Sequence, residues 1–90
     1  MKYEWAEAKR LANLKKHGVD FADIRAFNWT EAHLSIDDRE NYGEERFVAL
    51  GPYRGQIHVV IYTERGARTR IISFRKADKK EVRRYEKEKN

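Results

Sequence analysis

Ninety residues with twenty Lys plus Arg against fifteen Asp plus Glu describe one small basic domain, 1–90, of formal net charge +5. A chain this short buries only about 60–65% of its unfolded surface, so its core must be thin. The lack of cysteine excludes a disulfide scaffold, a thiolate zinc site and a cysteine nucleophile together, and no apolar run is long enough for a membrane span.

Residues 2–5 (KYEW) read as a short strand. From Ala6 to Lys16 the apolar residues Ala8, Leu11, Ala12 and Leu14 recur at helical spacing, which predicts an amphipathic helix stopped by Gly18. Asp20 caps a second helix with Phe21, Ile24 and Phe27 on one side, extended or ended by Trp29. His33–Ile36 reads as a short strand before a polar loop, Asp37–Gly43. Strands follow at Arg46–Leu50, Ile57–Thr63 and Arg68–Arg75, joined by the glycine-bearing turns 51–55 and 64–67. IHVVIY is apolar almost throughout, as befits a central strand covered on both faces. Asp78 and Glu81 form a capping-box start to a C-terminal helix whose only apolar anchors are Val82 and Tyr85. The expected fold is α+β: a short N-terminal strand, two helices, an antiparallel meander and a C-terminal helix, with the helices on one face.

Charge is unevenly placed along this order. Residues 1–19 carry a net +3, residues 20–45 a net −6 and residues 46–90 a net +8. A basic C-terminal half points to a polyanionic partner such as RNA or DNA; a merely solvated surface is the alternative. His17, His33 and His58 make no metal-ligand spacing, so no metal or other cofactor is expected. Ser35, Thr63 and Ser73 sit in no nucleophile motif, and the opening MKYEWAEAKR lacks a signal peptide, so the expected compartment is the cytosol.

Lys9, Asn13, Lys16 and His17 fall in one polar sector of the first helix. That sector is either a phosphate-facing edge with His17 as proton carrier, or a helix end at which His17 simply complements the dipole. Arg46, Arg65, Arg68, Arg70 and Arg75 lie on or beside the strands, and Arg83 and Arg84 on the last helix. Their planar forks suit phosphate, though ion pairs with Glu64 or Glu45 are the plainer reading for at least half of them. Arg70 and Arg75 are five residues apart, so a regular strand sends them to opposite faces unless a bulge intervenes.

Taken together, Trp5-x3-Lys9-x3-Asn13-x2-Lys16-His17-Gly18-Val19-x-Phe21 resembles the N-terminal signature of the BrnT family of bacterial toxins. The likeness continues through Glu44-Glu45-Arg46-Phe47-x3-Gly51 and Val59-Val60-Ile61-Tyr62-Thr63-Glu64-Arg65-Gly66. It ends with Arg70-Ile71-Ile72-Ser73-Phe74-Arg75-x-Ala77-x3-Glu81-x-Arg83-Arg84-Tyr85. The resemblance implies a RelE-like fold and a ribonuclease that arrests translation and growth until the antitoxin BrnA, a DNA-binding protein, neutralises it. It also implies that the complex represses its own operon. Two positions depart from the family pattern: Ala6 stands where Asp is usual, and Phe74 where Ala is common, beside Arg75.

Without a metal, such cleavage must use the RNA 2′-OH as nucleophile, which requires a base, phosphate-binding cations and an acid. Under this resemblance Arg46, Arg65 and Arg75 hold the phosphate, Glu64 or His17 takes the proton, and Tyr85 orients the RNA. Lys9, Lys16, Arg70 and Arg84 are the expected RNA-binding groups. A non-catalytic nucleic-acid binder and a module for an acidic protein partner remain the alternatives.

Overall fold

The computed structural model describes residues 1–89 and contains one five-stranded sheet. In chain order the elements are β1 (Lys2–Glu4), α1 (Glu7–His17), two short 3-10 helices (Phe21–Ala26 and Trp29–Glu31), β2 (His33–Asp37), β3 (Arg46–Tyr53), β4 (Gln56–Arg65), β5 (Arg68–Lys76) and α2 (Lys79–Lys89). The strand order is β1-β5-β4-β3-β2, with β2 through β5 antiparallel and β1 parallel to β5. The α+β class expected from the sequence is the one observed.

Alternation along the strands builds two cores. Ala49, Tyr53, Val60, Tyr62, Ile71 and Phe74 face one way, onto Phe21 and Ile24 of the first 3-10 helix and Val19 and Phe27 beside its two ends. Val48, Leu50, Val59, Ile61 and Ile72 face the other way, where Val82 and Tyr85 of α2 cover part of them. The central strand β4 is thus buried on both sides. The helices do not share one face as expected: α2 sits opposite the 3-10 segment because its two anchors match the second, smaller core.

Phe21, Ile24 and Phe27 repeat every three residues, which is the period of a 3-10 helix rather than an α-helix. The segment after Asp20 is accordingly 3-10, with the Asp20 side chain accepting from the Ala22 N–H at 2.9 Å. The turn read at 51–55 shrinks to Arg54-Gly55, both at positive φ, a two-residue hairpin turn. Gly51 lies within β3 and serves packing, since a Cβ there would stand 2.9 Å from the Phe27 ring.

The first helix departs most from expectation. Leu11 is 53% exposed, Leu14 is also exposed, and Asn13 is the buried residue of α1. The helix lies against the edge of β5 beyond the end of β1, where the sheet needs hydrogen-bond partners more than apolar cover. Asn13 supplies them: its Nδ2 donates to the Phe74 and Val19 carbonyls at 2.7 and 2.9 Å, and its Oδ1 accepts from the Phe74 N–H at 3.2 Å. Ala6, without a capping side chain, precedes the helix in extended conformation, and Gly18 ends it in the left-handed region.

Candidate nucleic-acid interface

The register of β4 and β5 pairs Tyr62 with Ile71 but Ile61 with Ser73, which leaves Ile72 as an extra residue. This β-bulge shifts the alternation by one. Ile71 and Phe74 both face the aromatic core, while Arg70, Ile72 and Arg75 share the opposite side. Phe74 therefore points away from Arg75 and does not shape its pocket.

Because residues paired across strands share a face, the arginine side can be read off the register. Asp37 pairs with Arg46, and Thr63 with Arg70 and through it Glu4; Arg46 and Thr63 each adjoin the Phe47–Tyr62 pair, so all five share the side opposite those rings. Arg65 pairs with Arg68 at the far hairpin end, and Arg75 pairs with Val59, toward α2. Val59 and Arg65 are six residue steps apart along β4, about 20 Å at roughly 3.3 Å per residue. Arg46, Arg65 and Arg75 thus do not converge on one phosphate; they form a track. Glu64 lies on the other side of the sheet, with its carboxylate 3.3 Å from the Thr69 hydroxyl, so it does not join them.

The ion pairs also differ from those expected. Arg65 meets Glu44 at 3.3 Å, and Arg70 meets Glu4 at 2.7 Å with Arg68 at 3.8 Å from the same carboxylate. Arg46 stacks on the Tyr42 ring at 3.9 Å, with its buried Nε unpartnered. None of these pairs involves Glu64 or Glu45.

What does converge is a groove of about 340 Å³ between the N-terminus of α2 and the β2 end of the sheet. Arg39, Arg75 and Arg84 line it together with Asp37 and Glu81. Arg75 is held by both oxygens of Glu81 at 2.8 and 2.9 Å. Glu81 also accepts from the Asp78 N–H, while the Asp78 carboxylate accepts from the Glu81 N–H, so the expected capping box is present. The Arg75 guanidinium holds the Glu81 carboxyl below its usual range, and Glu81 in turn raises Arg75. Arg39 is fixed by the buried Asp37 at 2.7 and 2.9 Å, which likewise lowers that carboxyl. Arg84 has no carboxylate partner among the described residues, so one guanidinium in the groove is uncommitted.

Arg39 escaped the sequence reading because nothing in the spacing of the 37–43 loop ties it to Arg75; only the packing of α2 beside β2 does. Glu81 was read as a helix cap alone, and its second partner comes from β5.

A second hollow, bounded by Lys9, Asn13, Lys16, His17 and Ile72, lies between α1 and β5. Asn13 contributes to the wall but has its amide committed to the sheet edge, so it is not a phosphate-facing group. Burial, then the charges of Lys16 and Arg75, push the His17 pKa below its ordinary value, so the imidazole is neutral at pH 7. Tyr85 is buried in the second core and its hydroxyl donates to the Glu31 carbonyl at 2.9 Å, so it anchors α2 rather than facing the groove. Tyr85→Phe is expected to cost about 1 kcal/mol in urea unfolding and to leave RNA cleavage unchanged; a cleavage defect in the folded variant would return the hydroxyl to the site.

Among the described residues no three His, Asp or Glu side chains form a ligand set for a metal ion, and no helix is long and apolar enough to cross a membrane. A family model described as "Ribonuclease toxin, BrnT, of type II toxin-antitoxin system" matches residues 5–81. No curated protein matches the chain.

Proposed function

The chain belongs to the BrnT family of ribonuclease toxins of type II toxin-antitoxin systems, and from that premise we propose that it cleaves RNA without a metal, in the groove of Arg39, Arg75 and Arg84. The observation that carries this reading is the Arg75–Glu81 pair, which holds a bidentate phosphate ligand in fixed orientation beside the uncommitted Arg84. The RNA 2′-oxygen gives up its proton and attacks the adjacent phosphorus, the P–O5′ bond breaks, and the departing 5′-oxygen takes a proton from water, so the product ends are a 2′,3′-cyclic phosphate and a 5′-hydroxyl. Arginines aimed at the pentacoordinate phosphate stabilise the charge that develops there, each well-placed donor contributing about 3–4 kcal/mol.

His17, kept neutral by burial and by neighbouring cations, takes the 2′-OH proton. Lys9 and Lys16 beside it, and Arg46, Arg65 and Arg70 along the sheet, grip flanking phosphates. In the cytosol this activity blocks translation and growth. A BrnA antitoxin neutralises it, and the complex represses its own operon through the antitoxin's DNA-binding part.

End-labelled single-stranded RNA incubated with the protein in EDTA tests the reading. Cyclic-phosphate and 5′-hydroxyl ends are expected. Intact RNA that is nonetheless bound, with affinity falling steeply in salt, would favour a non-catalytic binder. The base has its own signature. Since the neutral imidazole is the working form and its pKa is lowered by burial and by the charges of Lys16 and Arg75, kcat/KM should rise with pH through a midpoint below that of an ordinary histidine. His17→Gln should remove that acid limb and slow cleavage by about 10²–10⁴-fold; an unchanged limb would move the role elsewhere.

A further inference from the structure

The groove that holds Arg75 carries no net charge. Its three guanidiniums, Arg39, Arg75 and Arg84, share the walls with three carboxylates, Asp37, Asp38 and Glu81. Such a lining can align a phosphate but cannot draw in a polyanion, so the attraction must come from beside it.

The last helix, α2, supplies that charge. At about 100° per residue, Lys79, Arg83, Lys87, Lys80 and Arg84 fall in that order within one sector of roughly 140°. All five are exposed, while Val82 and Tyr85 pack on the second core and Glu81 reaches Arg75. No carboxylate enters the sector; Glu86 and Glu88 lie outside its two margins. Among the described residues the ion pairs of α2 are those of Glu81 with Arg75 and of Lys89 with Glu31. The five cations are thus unpaired. Arg84 ends the sector on the groove wall, which makes stripe and groove continuous.

This face is not what helix stability selects. Lys79 and Lys80 stand in the first turn, where the dipole disfavours cations. Lys79 and Arg83, Lys80 and Arg84, and Arg83 and Lys87 are like-charge neighbours four residues apart, and each such pair is destabilising. A merely solvated face would mix the signs there. A face that meets a polyanion has its repulsion relieved on binding.

We propose that the outer face of α2 binds the phosphate backbone of the RNA strand where it leaves the groove. The inference rests on the ribonuclease reading for RNA as the polyanion and deepens it, giving two kinds of cation two tasks. Arg39 and Arg75, locked by carboxylates, orient a phosphate in the groove. The lysines of α2 are compact charges on flexible stems, which suits contact with a backbone of any sequence. The substrate is therefore a strand that extends past the cut.

A single-stranded 2′-O-methyl RNA of about 20 nucleotides, which offers no 2′-OH to attack, tests this by fluorescence anisotropy over a range of salt. Two phosphate contacts contribute about 1.4 to the slope of log affinity against log salt on a single strand. Lys80→Gln with Arg83→Gln should lower the slope by that amount and weaken binding roughly tenfold at about 0.1 M salt. The same change removes all three like-charge pairs, so the urea midpoint should hold or rise. Arg25→Gln with Arg54→Gln, on the side of the 3-10 helices, lowers the net charge equally and should leave the slope unchanged.

A wild-type slope in the α2 variant overturns the proposal and leaves the stripe to an acidic protein partner. An equal loss in both variants overturns it too, because net charge alone would then be acting. Absence of binding by the wild type overturns it as well. Cleavage in EDTA is scored separately. A slope lost in the α2 variant without cleavage by the wild type counts against the ribonuclease reading and leaves this one standing.

Discussion

Arg75→Ala is expected to lower kcat/KM for RNA cleavage by about 10²–10³-fold, the usual consequence of removing one aligned donor from a developing oxyanion. Arg75→Lys should recover little, because an ammonium cannot keep both the Glu81 carboxylate and a phosphate in the planar geometry that the fork provides. Glu81→Gln retains a side chain able to accept from the Asp78 N–H, but it loosens Arg75. Its effect should be smaller, and the double variant should be no worse than Arg75→Ala alone. Such non-additivity is the mark of two residues acting as one unit. Full cleavage by Arg75→Ala, in protein shown to be folded, would sink the groove as the catalytic site.

The second large effect concerns stability. Asn13→Ala removes three hydrogen bonds at once and leaves the Phe74 N–H and the Phe74 and Val19 carbonyls without their partners. At roughly 1–3 kcal/mol for each buried group so stranded, a loss of at least about 3 kcal/mol is expected in urea unfolding. That is a large part of the 5–15 kcal/mol that ordinarily holds a domain together. Asn13→Asp should fare no better, since it keeps the acceptor and loses both donors while adding a charge. A variant of unchanged stability but reduced RNA affinity would restore Asn13 to the phosphate-facing stripe.

The strands were the most legible part of the sequence, because alternation and glycine turns act locally. The capping box of α2 and the burial of IHVVIY on both faces follow from the same local rules. What misled was α1. Its leucines have the spacing of a core face, yet the surface it meets is a strand edge, and an edge selects an amide over an alkyl group. The 3-10 segment was legible in principle from the three-residue period of Phe21, Ile24 and Phe27.

The candidate site was only partly legible, for a different reason. Arginine-rich composition pointed to arginines as candidate groups, and the structure places Arg75 and Arg84 in one groove. Arg39, Asp37 and Glu81 enter it through the placement of α2 beside β2, a tertiary fact without a sequence period. The structure sets Arg46 and Arg65 apart from Arg75, and distance along a strand is not visible in a list of residue types.

Ile72 shows how much one residue can decide. A strand has only two sides, and its membership of either is a matter of odd and even. Were β5 to run through Ile72 as a regular strand, without the bulge, everything after it would change parity. The Phe74 ring would turn out among the guanidiniums, and Arg75 would be carried into the aromatic interior. The two halves of β5 obey opposite conventions, one set by the core and one by the groove, and the supernumerary residue lets a single chain satisfy both.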